Sequence, residues 1–174
     1  MAVVKKRPEP TPIVDLISDI ESTRAVLERA GLSGVPMDVN RAAAALGLKI
    51  QYEQMADEMS GYLERRGDTW YVGVNSLHSG VRQRFTVAHE IAHFVLHRGQ
   101  QENFRDLIFT RRSMERNSME READTFAAQL LMPKESLVGD VRGGMTNVNE
   151  LAARYQVSGL AMKYRLMNIG YKVA

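Results

Sequence analysis

The chain has 174 residues, 44% of them apolar and 25% charged, with 13 Gly and 5 Pro. That balance belongs to a globular domain and excludes collagen-like, low-complexity or wholly disordered chains. The absence of Cys excludes disulfide scaffolds, thiolate zinc ribbons, thiol nucleophiles and iron–sulfur clusters. A net charge of +2 permits nucleic-acid contact without arguing for it.

No apolar run approaches the roughly 18 residues of a membrane span. Residues 1–11 carry Lys5, Lys6 and Arg7 but no apolar core of a signal peptide, so they read as a disordered lead-in to a cytoplasmic protein. Thr11-Pro12 suits a helix start, and Ile13, Leu16, Ile17, Ile20, Val26 and Leu27 keep helical spacing up to Gly31. A short helix is expected from Asp38 to Leu46, closed by Gly47, and then a strand from Leu48 to Tyr52. Gly61–Arg65 and Thr69–Val74, joined through Arg66-Gly67-Asp68, form a β-hairpin whose edge near Tyr62 to Val74 could pair with an extended chain by strand addition. Ser79 to His97 is helical for about five turns. Arg98 to Asn117 reads as a surface loop or short helix with Phe104, Leu107, Ile108 and Phe109 as anchors. A helix from Ser118 must stop near Pro133. Two short helices follow the Gly143-Gly144 break, over 147–155 and 158–168.

All four His fall between His78 and His97, and His89-Glu90-Ile91-Ala92-His93 is an HExxH string inside a predicted helix. Residues four apart lie about 40° apart on a helix face, so both imidazoles can reach one metal ion. Glu90, about 100° round from His89, stands beside that ion, where it can take a proton from water. Ala88, Ile91, Ala92, Val95 and Leu96 make the opposite arc apolar, so the helix is one that packs against a core while its His-Glu stripe faces a cleft. Together these features favour a metal site over a surface helix that happens to carry two His.

A catalytic zinc needs a third protein ligand and an open position. His97 lies eight residues after His89 without the chain-reversing Gly of the metzincin pattern, and His78 has no positional argument. Glu120 and Asp124 are again four apart, on one face of the 118–132 helix beside Ala123, Phe126, Ala127 and Leu130. Glu120 can supply the oxygen and Asp124 can accept the spare N–H of a ligating His. On helix geometry Glu122 faces away, as a solvated charge.

The two segments Arg82–His97 and Glu120–Pro133 together resemble the ImmA/IrrE family of metallopeptidases. Val35-Pro-Met-Asp-Val, Ala44-Ala-Leu-Gly-Leu, Gly61-Tyr and Val72-Gly-Val-Asn fit that family's lead-in, so the resemblance extends over residues 15–170. Ala92 stands where the family commonly has Gly, and Asp124 where Asn is frequent. The resemblance implies an α+β fold: a mainly helical zincin-like domain, a small antiparallel or mixed three-stranded sheet and a C-terminal helix-turn-helix-like pair. It implies a thermolysin-like zinc site with His89, His93 and Glu120 as ligands, Glu90 as general base and Asp124 behind a ligand. The implied substrate is an XRE-type helix-turn-helix repressor or an antitoxin, cut in stress or mobile-element regulation. Tyr62, Tyr71 and Arg84 are candidates for stabilising the oxyanion.

Residues 12–140 are expected to form the peptidase domain and 145–174 an extension packed on it. In that extension Asn147 and Glu150 suit a capping box. Glu150–Met167 is similar to a helix-turn-helix, with Gln156 where Gly is favoured. Lys163 and Arg165 could touch DNA, but packing that buries Leu160, Tyr164 and Leu166 is preferred, because so few basic residues mark the second helix. The alternative function is a non-proteolytic regulator or antitoxin-like protein with a structural zinc, binding DNA or a partner through these helices.

Overall fold

The computed structural model describes residues 11–107 and 118–174. Among them are helices α1 (Ile13–Leu16), α2 (Ile20–Arg29), α3 (Val39–Ala45), α4 (Gly80–His97), α5 (Ser118–Leu131), α6 (Lys134–Arg142), α7 (Val148–Tyr155) and α8 (Gly159–Asn168). The strands are β1 (Leu48–Glu53), β2 (Met59–Arg66), β3 (Thr69–Asn75) and β4 (Asn103–Leu107). The architecture is α+β and mainly helical. Residues 1–10 of the lead-in expected over 1–11 and the anchors Ile108 and Phe109 lie outside the described residues.

Side-chain caps place the helix starts. Asp19 accepts from the Ser22 N–H at 2.8 Å, and the Asp19 N–H donates to Ser22 Oγ at 3.1 Å, a reciprocal box. That box divides the single helix expected up to Gly31: Ile13 and Leu16 are exposed in α1, and the chain restarts at Ile20. Asp38, Ser79, Asn147 and Ser158 cap α3, α4, α7 and α8 in the same manner. Helix α6, which is flanked by Pro133 at its start and Gly143 at its end, was not expected from the sequence.

The sheet order is β1-β3-β2-β4. Strand β1 runs parallel to β3, β2 and β3 form the expected hairpin, and β4 adds antiparallel to β2. The sheet therefore has four strands rather than three, and part of the expected 98–117 surface loop is an edge strand. Because β3 pairs with β1 and β2 pairs with β4, both hairpin strands are internal. Strand addition at the hairpin edge is thereby excluded.

One face of the sheet packs on α4. Strand alternation sends Leu63, Val72 and Val74, all 0% exposed, to that side. A Cβ on Gly61 would collide with the Gly73 carbonyl and the Thr86 methyl group, so glycine is what lets β2 lie against α4. Every residue of α4 from Thr86 to Val95 is buried. Ala88, Ala92, Ala123 and Ala127, each fully buried, keep bulk low where α4 and α5 pack together. Leu151, Ala152, Tyr155, Val157, Met162 and Leu166 from the last two helices join the same apolar cluster.

Two details of the C-terminal pair differ from expectation. Leu160 and Tyr164 are 62% and 57% exposed, while Met162 takes the inward place alongside Leu166. Gln156 does sit in the left-handed conformation that the turn requires, with φ 52°.

Candidate metal centre

Helix α4 carries His89, His93 and His97 at successive four-residue steps, so the three rings form a ladder along one face. Helix α5 lies beside it and brings Glu120, Glu122 and Asp124 to that ladder. His89 Nε2 and His93 Nε2 are 3.1 Å apart. Glu120 Oε2 is 3.1 Å from His89 Nε2, and its Oε1 is 3.1 Å from His93 Nε2. His89 and His93 are 0% and 1% exposed and the Glu120 side chain 17%. The sequence expectation thus brings three potential ligands to one point, and they are one of two such groups among the described residues.

The donor set fits a zinc ion. Two imidazole nitrogens and a carboxylate are ordinary zinc ligands, and donors about 2.0–2.1 Å from a tetrahedral centre stand about 3.3 Å from one another. The 3.1 Å separations are close to that edge.

The electrostatics follow from the same contacts. Burial opposes charge on His89, but Asp124, Glu120, Asp106 and Glu90 outweigh it and push the ring up to about 10. Burial likewise opposes charge on Glu120, yet the hydrogen bonds from His89 and His93 hold its carboxyl well below the usual carboxylate range. For His93 burial prevails and the ring is pushed down. Anionic Glu120 and neutral His93 are the forms that bind a cation, whereas His89 must release a proton to do so.

His89 Nδ1 lies 2.9 Å from Asp124 Oδ1, where it can donate its spare N–H, as expected for a residue behind a ligand. Glu90 is 0% exposed on the same helix. Strand β4 adds Asp106, which sequence reasoning did not consider, and Phe104, which it expected only as an anchor of a surface loop. Its alternation turns Phe104 and Asp106 inward, 4% and 2% exposed. The Phe104 ring stacks on His93 with centroids 4.6 Å apart and planes 19° from parallel. An Asp106 oxygen lies within 4.8 Å of a ring nitrogen of His89 and a carboxylate oxygen of Glu90, completing the second group. Only the strand alternation Phe104-Arg105-Asp106 could have signalled this.

Other expectations are corrected. Glu122 is no simple solvated charge: its Oε2 lies 3.0 Å from His97 Nε2. His97 is 1% exposed and its Nδ1 lies 2.9 Å from His93 Nδ1. His78, in the β3–α4 turn, has its Nε2 3.2 Å from Asn75 Nδ2 and from the Asp57 carbonyl, a loop contact away from the centre. None of the three oxyanion candidates serves. Tyr62 and Tyr71 lie on the sheet face opposite α4, where Arg105 and Arg66 cover their rings. The Arg84 guanidinium donates to the carbonyls of Met37, Tyr155 and Gln156 at 2.7, 3.4 and 3.1 Å.

Comparison with known proteins adds to this geometry. A solved structure of a Mycobacterium tuberculosis transcriptional regulator shares the fold, with TM-score 0.57 and 14% identity over 90% of this chain and 52% of that one. The chain therefore spans about half the length of that regulator. No curated protein matches the sequence. No helix among the described residues is long and apolar enough to cross a membrane. The Peptidase M78 family model, described as the IrrE N-terminal-like domain, matches residues 43–167, which contain the whole α4–α5 cluster. The chain belongs to this ImmA/IrrE family of metallopeptidases.

Proposed function

We propose that the chain is a zinc-dependent endopeptidase that cuts a specific cytoplasmic protein. The observation that carries this reading is the convergence of His89 Nε2, His93 Nε2 and the Glu120 carboxylate, at 3.1 Å separations, next to buried Glu90. In it His89, His93 and Glu120 are the ligands, and Asp124 fixes the tautomer of His89 by accepting its Nδ1–H. When bound, zinc supplies Lewis acidity and makes water nucleophilic near neutral pH. Glu90 takes the proton of the attacking water and returns it to the leaving amine. Residues 12–140 form the catalytic part, with 145–174 packed on it.

An XRE-type repressor or an antitoxin in stress or mobile-element control is the proposed substrate, by family resemblance. The alternative, DNA binding through α7 and α8, has less support. Arg165 Nε donates to the Met132 carbonyl at 2.9 Å, which leaves Lys163 as the outward cation of the pair considered. Cleavage of a repressor encoded beside this gene tests the proposal. Wild-type protein should yield two discrete fragments, and Glu90→Gln should retain zinc while yielding none. Equal cleavage by both proteins would remove Glu90 from the mechanism.

A further inference from the structure

The third histidine of α4 binds nothing as a ligand in this reading, yet it is as buried as the other two. Both of its nitrogens are occupied. Nδ1 lies 2.9 Å from His93 Nδ1 and Nε2 lies 3.0 Å from Glu122 Oε2. We propose that His97 and Glu122 are positioning residues that hold His93 in its metal-binding tautomer and orientation. The inference rests on the assignment of His93 as a ligand.

The proton count permits one arrangement. To offer a lone pair to a metal at Nε2, a neutral His93 must carry its proton on Nδ1. Two ring nitrogens 2.9 Å apart share a hydrogen bond only when one of them is bare, so His97 Nδ1 is the acceptor. The His97 proton then sits on Nε2 and is donated to the Glu122 carboxylate. Running the series backwards would protonate His93 on the nitrogen that faces Glu120, which excludes ligation.

Packing removes the escape routes. Phe104 stacks on His93, and the His93 and His97 side chains are both buried, so neither imidazole is turned toward water. His89 reaches its orienting carboxylate, Asp124, directly, whereas His93 reaches Glu122 through one more imidazole. The Glu122 side chain is 56% exposed, so this series ends at the protein surface.

The test is titration of metal-free full-length protein with Zn²⁺ against a competing chromophoric chelator, paired with the visible spectrum of the Co²⁺-loaded protein. His97→Phe keeps ring bulk but offers no acceptor, and it should weaken zinc binding about ten- to hundredfold. His97→Asn places an amide oxygen near the lost Nδ1 and should recover most of that affinity and the wild-type cobalt spectrum. Glu122→Ala, at an exposed position, should weaken binding about threefold or more with its thermal midpoint unchanged. A merely structural His97 would lower the thermal midpoint in both His97 variants and leave zinc affinity alone. Wild-type affinity in His97→Phe and Glu122→Ala overturns the proposal. Should His97→Phe not fold, unchanged affinity in Glu122→Ala overturns it by itself. If the wild-type protein binds no zinc, the metal-site reading itself has failed.

Discussion

Both the α4–α5 pair and the α7–α8 pair feed one apolar core, but they bury different chemistry. Helix α4 sinks Thr86, His89, Glu90, His93 and His97, none more than 1% exposed. Helices α7 and α8 bury Leu151, Ala152, Tyr155, Met162 and Leu166, with the Tyr155 hydroxyl as the polar exception, donating to Asp140 at 2.7 Å. Burying an ionisable side chain costs several kcal/mol unless it is paired. A helix that does so four times within nine residues has a sequence that stability alone would not select. In the proposed function that difference puts the chemistry on α4–α5 and gives α7–α8 the part of a scaffold.

The largest effect should come from Glu90→Gln. Removing the base while keeping side-chain shape is expected to lower peptide hydrolysis about a hundred- to ten-thousandfold, with zinc content by elemental analysis unchanged. A loss of zinc instead would move Glu90 into the ligand set. On the scaffold side, Leu151 is 0% exposed, and Leu151→Ala should cost about 2–5 kcal/mol in urea unfolding. Zinc affinity measured in the folded range should not move; a large drop would mean that α7 shapes the centre.

A smaller effect is expected at Asp140, which joins α6 to α7. Arg154, and then the Tyr155 hydroxyl, hold its carboxyl below the ordinary value of 3.8. A folded value below the unfolded one means that the contact stabilises above about pH 4 and is lost as pH falls. Asp140→Asn should therefore cost about 1 kcal/mol at pH 7, and the gap from wild type should narrow in acid. A gap independent of pH would assign the cost to packing. Smallest of all, Lys163→Glu on the exposed side of α8 should stay within about 0.5 kcal/mol of wild type. Salt-dependent duplex binding by wild-type protein that this change abolished would return α7–α8 to a functional role.

Local spacing carried the legible part of this molecule. The four-residue steps His89–His93 and Glu120–Asp124 were readable because a helix fixes which side chains share a face, whatever surrounds it. The same one-helix geometry misjudged Glu122, whose partner His97 arrives from a neighbouring helix that no wheel drawn on α5 can contain. Strand β4 was hidden because Asn103 and Asp106 are poor strand formers. It exists because β2 offers a free edge and the His93 ring of α4 a face on which Phe104 stacks. The break before α2 was masked by apolar spacing that continues through Ile17, while a Ser at the third position of the cap stood in for the usual Glu. Leu160 and Tyr164 look like core residues in sequence, and only packing shows that Met162 and Leu166 fill that place.

The central claim is that α4 and α5 together form one zinc site. It is tested most directly by titrating metal-free wild-type protein, His93→Ala and Glu120→Ala with Zn²⁺ against a competing chelator. One ion per chain should bind the wild type, with a sharp loss of affinity in both variants, one from each helix. No stoichiometric binding, or binding that survives Glu120→Ala unchanged, would contradict it.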